Sequence, residues 1–150
     1  MNHLDPILKT LNHEIEIFLG LLKEESLALT RNDSEQLGEL THQRDYVSQN
    51  MAKHWSQLAE QLDLPADATL PALELRAFPL NNPSEDWRKL EKLTQEAARL
   101  NRINGRLIEE QMRSTQAAMQ VLQSASIRSL YGSDGRLSNV LDNYRSIDSA

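Results

Sequence analysis

From Leu4 to Leu29 the apolar residues Leu4, Leu8, Leu11, Ile15, Phe18, Leu22 and Leu29 follow a four-three alternation, with Glu25 the one polar step. That spacing suits only an α-helix, where residues three and four apart share a face; a buried strand would alternate every second residue. It is a heptad seam. Ile7, Leu19, Leu21 and Ala28 lie beside the seam and widen it beyond what a two-stranded coil needs, so this helix is expected to touch two neighbours. The pattern points to a bundle.

The next signals divide the chain. Asn32 can take the left-handed conformation that closes a helix, Asp33 can cap the next one, and Gln36 stands where a capping box needs it. A second helix then carries Leu37, Leu40, Val47, Met51, Trp55, Leu58 and Leu62, and it must end before Pro65. Two helices of similar length joined by a tight turn form an antiparallel hairpin. Four of the five prolines, Pro65, Pro71, Pro79 and Pro83, fall in residues 63–83, which read as a connector. Its Leu70, Leu73, Leu75, Phe78 and Leu80 predict packing across the bundle, with room for a short helix from Ala72 to Ala77. Ser84, followed by Glu85 and Asp86, opens a third helix.

No proline comes after it. A seam through Leu90, Leu93, Ala97, Leu100, Asn104, Leu107, Gln111, Ser114, Ala118, Val121 and Ala125 predicts about 44 residues of helix, roughly 65 Å, against about 42 Å for the first helix. The third helix is thus expected to outrun the hairpin by roughly 20 Å. The run Tyr131-Gly132-Ser133-Asp134-Gly135 predicts a break. Beyond it Leu137, Val140, Leu141, Tyr144 and Ile147 share one helical face in a segment too short to be a stable helix alone. The expected architecture is all-α: a helical hairpin plus one long helix in a three-helix, coiled-coil-like bundle, with a flexible C-terminal tail. The boundaries are a bundle domain at 1–130, with helices about 4–31, 34–62 and 85–128, and a tail at 131–150 whose amphipathic part is about 137–147.

Composition narrows the function. A formal charge of −6 supplies no lysine and arginine footprint for a phosphate backbone, so nucleic acid is not an expected partner. With no cysteine there is neither a disulfide framework nor a thiolate metal site, which suits the cytoplasm. The longest apolar run, Ile17 to Leu22, is far below the roughly 20 residues that span a bilayer, and no signal peptide is visible.

Catalytic signals fail one by one. His13-Glu14-Ile15-Glu16-Ile17 starts like a zinc-protease helix but has Ile17 where the second histidine belongs. No Glu-x-x-His pair recurs as a di-iron site requires, and His3, His13, His42 and His54 lack ligand spacing. Glu24-Glu25 and Glu109-Glu110 are adjacent in sequence and point about 100° apart on a helix. No Gly-rich phosphate loop is present. The expectation is a binding protein, with no enzymatic activity, cofactor, metal or small-molecule substrate.

Two features of the third helix stand out. Asn104-Gly105 is a poor helical pair, since glycine costs about 1 kcal/mol relative to alanine. Either the missing side chain permits a close helix crossing while Asn104 bonds across the bundle to fix register, or the pair is a flex point. Further along, a small-residue stripe (Ser114, Ala118, Ala125) adjoins a bulkier one (Ile108, Met112, Met119, Leu122), and only one need face the hairpin. Methionine is unbranched and adaptable, which suits a surface that receives more than one partner helix.

The stretch Leu100-Asn101-Arg102-Ile103-Asn104-Gly105-Arg106-Leu107-Ile108, followed by Met112, Leu122, Tyr131-Gly132 and Gly135, resembles the signature of FlgN-type flagellar export chaperones. The plan of hairpin, connector, long helix and tail is similar to that family across nearly the whole chain. The resemblance implies a cytoplasmic type III export chaperone that shields the amphipathic C-terminal segments of hook-associated proteins, the hook-filament junction proteins. It also implies delivery to the export gate, a membrane protein, with Tyr131 matching the gate-docking tyrosine. Clients are then expected on Ile108, Met112, Met119, Leu122, Ile127 and Leu130, and on Leu137, Val140, Leu141 and Tyr144 of the tail. The chain itself would be a monomer or weak dimer. A structural coiled-coil adaptor that oligomerises through its seams and holds no unfolded client is the alternative, although Glu25, Arg44, Asn104 and Gln111 would be costly in an extended homomeric core.

Overall fold

A computed structural model of the chain describes residues 3–133, with side chains described through Arg128. It contains α1 (Asp5–Arg31), α2 (Ser34–Gln61), α3 (Leu70–Ala77) and α4 (Glu85–Ser133), and no strand among the described residues. Two compact units divide within α4, Met1–Ile108 and Glu109–Ala150. A continuous helix satisfies its own backbone hydrogen bonds, so the loss of tertiary packing need not coincide with the end of a helix.

The helix ends obey local chemistry. Asn32 sits at φ 55°, ψ 36°, and the amides of Asn32 and Asp33 donate to Leu29 and Ala28 at 3.3 and 3.0 Å, a Schellman closure of α1. The Asp33 carboxylate accepts from the Gln36 amide at 3.1 Å and opens α2. The reciprocal half of the expected capping box has nothing to bind, because the Asp33 amide is already committed to Ala28. A second Schellman closure ends α2: Asp63 stands at φ 55°, and the Asp63 and Leu64 amides donate to Glu60 and Ala59 at 3.1 and 2.9 Å. Pro65 comes immediately after.

The connector is packed through part of its length. Thr69 caps α3 by accepting from the Ala72 amide at 3.3 Å, so the short helix starts at Leu70, ahead of the expected Ala72. Pro71 is tolerated there because first-turn amides have no intrahelical partner. Leu73 is buried, Phe78 meets the Trp87 ring edge-on at 5.6 Å, and Arg76 donates to the Leu62 carbonyl at 3.3 Å. Leu75 and Leu80 depart from the expectation of packing; they are 71% and 83% exposed. Ser84 then caps α4, its hydroxyl accepting from the Trp87 amide at 3.3 Å.

Within Met1–Ile108, cross-helix contacts fix the directions. Glu25 with Arg44 and Glu14 with His54 pair α1 and α2 antiparallel. Asn12 with the Asp86 carbonyl, Glu16 with Lys89, and Leu22 with Asn104 set α4 parallel to α1. The core joins Leu8, Leu11, Ile15, Leu19 and Leu22 of α1 to Leu58 and Leu62, to Leu73, and to Trp87, Leu90 and Leu100. Trp87, fully buried, extends the α4 seam one step before Leu90.

The interior turns polar at residues 22–26 of α1. Glu25 is 3% exposed, and the Arg44 Nη1 donates to both its carboxylate oxygens at 3.0 and 3.1 Å. Asn104 is 2% exposed; its Nδ2 donates to the Leu22 carbonyl at 3.0 Å and its Oδ1 accepts from the Ser26 hydroxyl. The expected close crossing at Gly105 is not what the glycine serves: it is exposed, and an added Cβ would meet nothing within 4 Å. At the surface, a hydrogen bond from Lys89 and its charge hold the Glu16 carboxyl below the usual range. The pair is solvated and adds little stability.

Two pairs of substitutions test this polar layer by urea unfolding. Arg44→Ala should cost about 2 kcal/mol, less than the ~3–5 kcal/mol of a fully buried pair because water reaches part of the guanidinium. The double change Glu25→Leu with Arg44→Leu should recover most of the loss. Asn104→Ala should cost about 1–3 kcal/mol, whereas its neighbour Gly105→Ala should gain about 1 kcal/mol. Equal signs at 104 and 105 would contradict these assignments.

Candidate functional site

The last buried residue described in α4 is Asn104; Leu107 and Gln111 are half-buried, and nearly every residue from Met112 to Arg128 is exposed. The helix itself continues without a break to Ser133. Tyr131 and Gly132 therefore lie in helical backbone, past the expected helix end near residue 128 and within the run expected to break it. One glycine in a last turn costs about 1 kcal/mol, which does not by itself end a helix.

What this surface lacks is charge. Arg113 and Arg128 bracket fourteen residues, 114–127, with no Asp, Glu, Lys, Arg or His among them. An exposed helix ordinarily carries charged residues on its water-facing side. Here Met112 is 59% exposed, Met119 55%, Leu122 65% and Val121 68%, with Ile108 and Ile127 near 40%. Ser114, Ala118 and Ala125 are exposed as well, so neither of the two stripes is buried. The seam periodicity persists through a stretch where it buries nothing, because period alone records which residues share a face and not whether a neighbour exists.

At about 100° per residue, Ile108, Met112, Met119 and Leu122 fall on one side of the helix. Val121, Ser124 and Arg128, with Ala117, Gln120 and Ala125, line a shallow groove on the opposite side. Covering a half-exposed Met or Leu returns on the order of 1–2 kcal/mol before ordering costs. The segment offers apolar area and, in its serine and glutamine side chains, uncharged hydrogen-bonding groups. With no titratable side chain from Ser114 to Ile127, it can hold a partner but cannot move a proton.

Of the residues that the sequence nominates, Ile108, Met112, Met119, Leu122 and Ile127 are brought onto one exposed stretch of helix. The side chains of Leu130 and Tyr131 lie outside the described residues, as do Leu137, Val140, Leu141 and Tyr144 altogether. Asn104 bridges α4 to α1, and Gly105 faces open space. Buried Asn12, which donates to the Asp86 carbonyl at 3.0 Å, is not among the residues the sequence nominates; as a polar residue beside Leu11 in the seam it carries a detectable signal.

No group of histidine and acidic side chains among the described residues is arranged to hold a metal ion. No described helix is long and apolar enough to cross a membrane. No curated protein and no solved structure matches the chain. The family model described as FlgN protein matches residues 1–139, nearly its whole length. On this match, which covers far more than half of the chain, the chain belongs to the FlgN family of flagellar export chaperones.

Proposed function

We propose that the chain is a cytoplasmic chaperone for the hook-associated, hook-filament junction proteins, binding their amphipathic C-terminal segments and handing them to the export gate. The observation that carries this reading is the exposed stretch of α4 that bears Met112, Met119 and Leu122 and is free of charge from Ser114 to Ile127. A client segment that would otherwise self-associate lays its apolar face along this helix, in helix-in-groove fashion. Ile108, Ile127 and Leu130 extend the contact, and Leu137, Val140, Leu141 and Tyr144 add to it from the C-terminal segment. Methionine side chains repack at little cost, so one surface serves several client sequences.

Because a disordered client loses conformational freedom on binding, the affinity is well below what the covered area alone returns. Moderate affinity suits a protein that must release its cargo. Tyr131, at the far end of the same helix, is assigned to docking on the export gate. The alternative of an oligomerising adaptor is less well supported, since Glu25, Arg44 and Asn104 are all satisfied within one chain and need no second copy. On this reading the free chaperone is a monomer or weak dimer.

Co-expression with the C-terminal segment of a hook-associated protein tests the proposal. The segment should become soluble with the wild-type chain, and Met119→Glu with Leu122→Glu should abolish the effect while the melting temperature stays within about 2 °C, since both positions are exposed. Deleting residues 131–150 should weaken client or gate capture and leave the helicity of the remainder nearly unchanged. Solubilisation undiminished by the double charge substitution would contradict the assignment of the site.

A further inference from the structure

At the end of the bundle where α1 begins and α2 stops there is a cleft of about 480 Å³. Leu4 and Leu8 of α1, Leu62 after α2, and Phe78 and Leu80 of the connector supply its apolar wall. Its volume lies in the roughly 300–1,000 Å³ range of pockets that take a ligand. The cleft belongs wholly to the Met1–Ile108 unit and shares no residue with the client surface proposed on α4.

Leu80 shows that the cleft has an apolar rim as well as an apolar wall. It is 83% exposed, yet its backbone is fixed: Pro79 precedes it, the Asn81 amide donates to the Phe78 carbonyl at 3.0 Å, and Asn81 stands at φ 56°. A leucine held outward by a closed turn has little freedom left to lose when something covers it. Leu75, the residue before Arg76, is 71% exposed as well. A molecule small enough to sit inside the cleft would leave Leu75, which does not line it, in water; a protein surface covers both.

Charge narrows the partner further. Arg76 lines the cleft, and its Nη1 donates to the Leu62 carbonyl at 3.3 Å, which uses one N–H donor and neutralises none of the charge. Among the described residues Arg76 has no carboxylate within ion-pair distance. The carboxylate in the lining, Asp5, stands in the first turn of α1, where the positive end of the helix favours it. A guanidinium left open beside apolar walls selects a carboxylate, which it binds through paired hydrogen bonds.

We propose that this cleft docks a partner protein that inserts one large apolar side chain beside Leu80 and sets a neighbouring carboxylate on Arg76. Such an anchor, buried in a pocket and flanked by a charge pair, is the arrangement that concentrates binding energy in a few residues. The proposal does not depend on the client reading, because the residues involved are different.

A random peptide library selected on the full-length chain tests this, with counter-selection on the Leu80→Ser, Arg76→Gln double variant to discard peptides held elsewhere. Enriched peptides should share a large apolar residue next to Asp or Glu and should shift the amide resonances of Leu8, Ala77, Phe78 and Leu80. Arg76→Gln and Leu80→Ser singly should each weaken them at least about fivefold, with melting temperatures within about 2 °C of wild type because both positions are exposed. Changing the peptide's acidic residue to its amide should cost a similar factor on the wild-type chain and almost nothing on Arg76→Gln. Enriched peptides without an acidic residue, an equal loss on both chains, or no enrichment beyond the double variant would overturn the proposal. So would phosphatidylglycerol vesicles that sediment the wild-type chain but not Leu80→Ser, since the occupant would then be a lipid surface.

Discussion

The two hydrogen bonds of Asn104 set the register of the bundle. A buried amide is costly unless its donor and acceptor are both used, and here both are used by α1, through the Leu22 carbonyl and the Ser26 hydroxyl. Sliding α4 by one turn would orphan those groups and Asn104 together. The neighbouring residue on α1, Glu25, does the equivalent for α2 through Arg44. Residues 22–26 of α1 therefore lock both partner helices, while the leucine-rich core from Leu4 to Leu22 supplies the apolar burial that holds them. Leucine seams alone would tolerate neighbouring registers; the polar layer does not.

The length of α4 beyond Asn104 is a consequence of helix physics. Nucleation is the costly step of helix formation, and once Trp87, Leu90 and Leu100 have fixed the first part of α4 in the core, each further residue adds a backbone hydrogen bond at little expense. The helix can then run on to Ser133 with its side chains unburied. An exposed helix of a protein that binds nothing would carry charges there. This one has none from Ser114 to Ile127, and its exposed methionines and leucine are the surface to which the proposed function assigns the client. The FlgN membership and this surface point the same way, the first from the chain as a whole and the second from fourteen residues of it.

Much of the fold is legible in the sequence because helix ends are written in local chemistry. Asn32 in the left-handed region, Asp33 and Ser84 as caps, and Pro65 as a stop all act within four residues of where they stand. The expected start of α3 at Ala72 falls two residues late, since the first turn accepts Pro71 and Thr69 caps the helix at Leu70. Gly105 misleads for a different reason. Sequence shows that a side chain is missing, but whether a neighbour fills the space depends on the path of two other helices, and none does. Trp87 extends the seam by three residues and was equally open to the same spacing argument. For the site, the apolar stripes can be read from spacing, but their exposure cannot, because the same stripe would serve equally as core. The run free of charge is the better signal: core-facing helices still carry charge on their outer face.

The far part of α4 is helical yet exposed, and on the proposed function a client covers it. Hydrogen exchange of the free chain, followed by mass spectrometry, measures this directly. Amides in Leu8–Leu22 and Trp87–Asn104 should be strongly protected and those in Met112–Ile127 weakly, with protection rising in the latter alone when a hook-associated C-terminal segment is added. Protection of Met112–Ile127 equal to that of the core in the free chain, and unchanged by the segment, would contradict it.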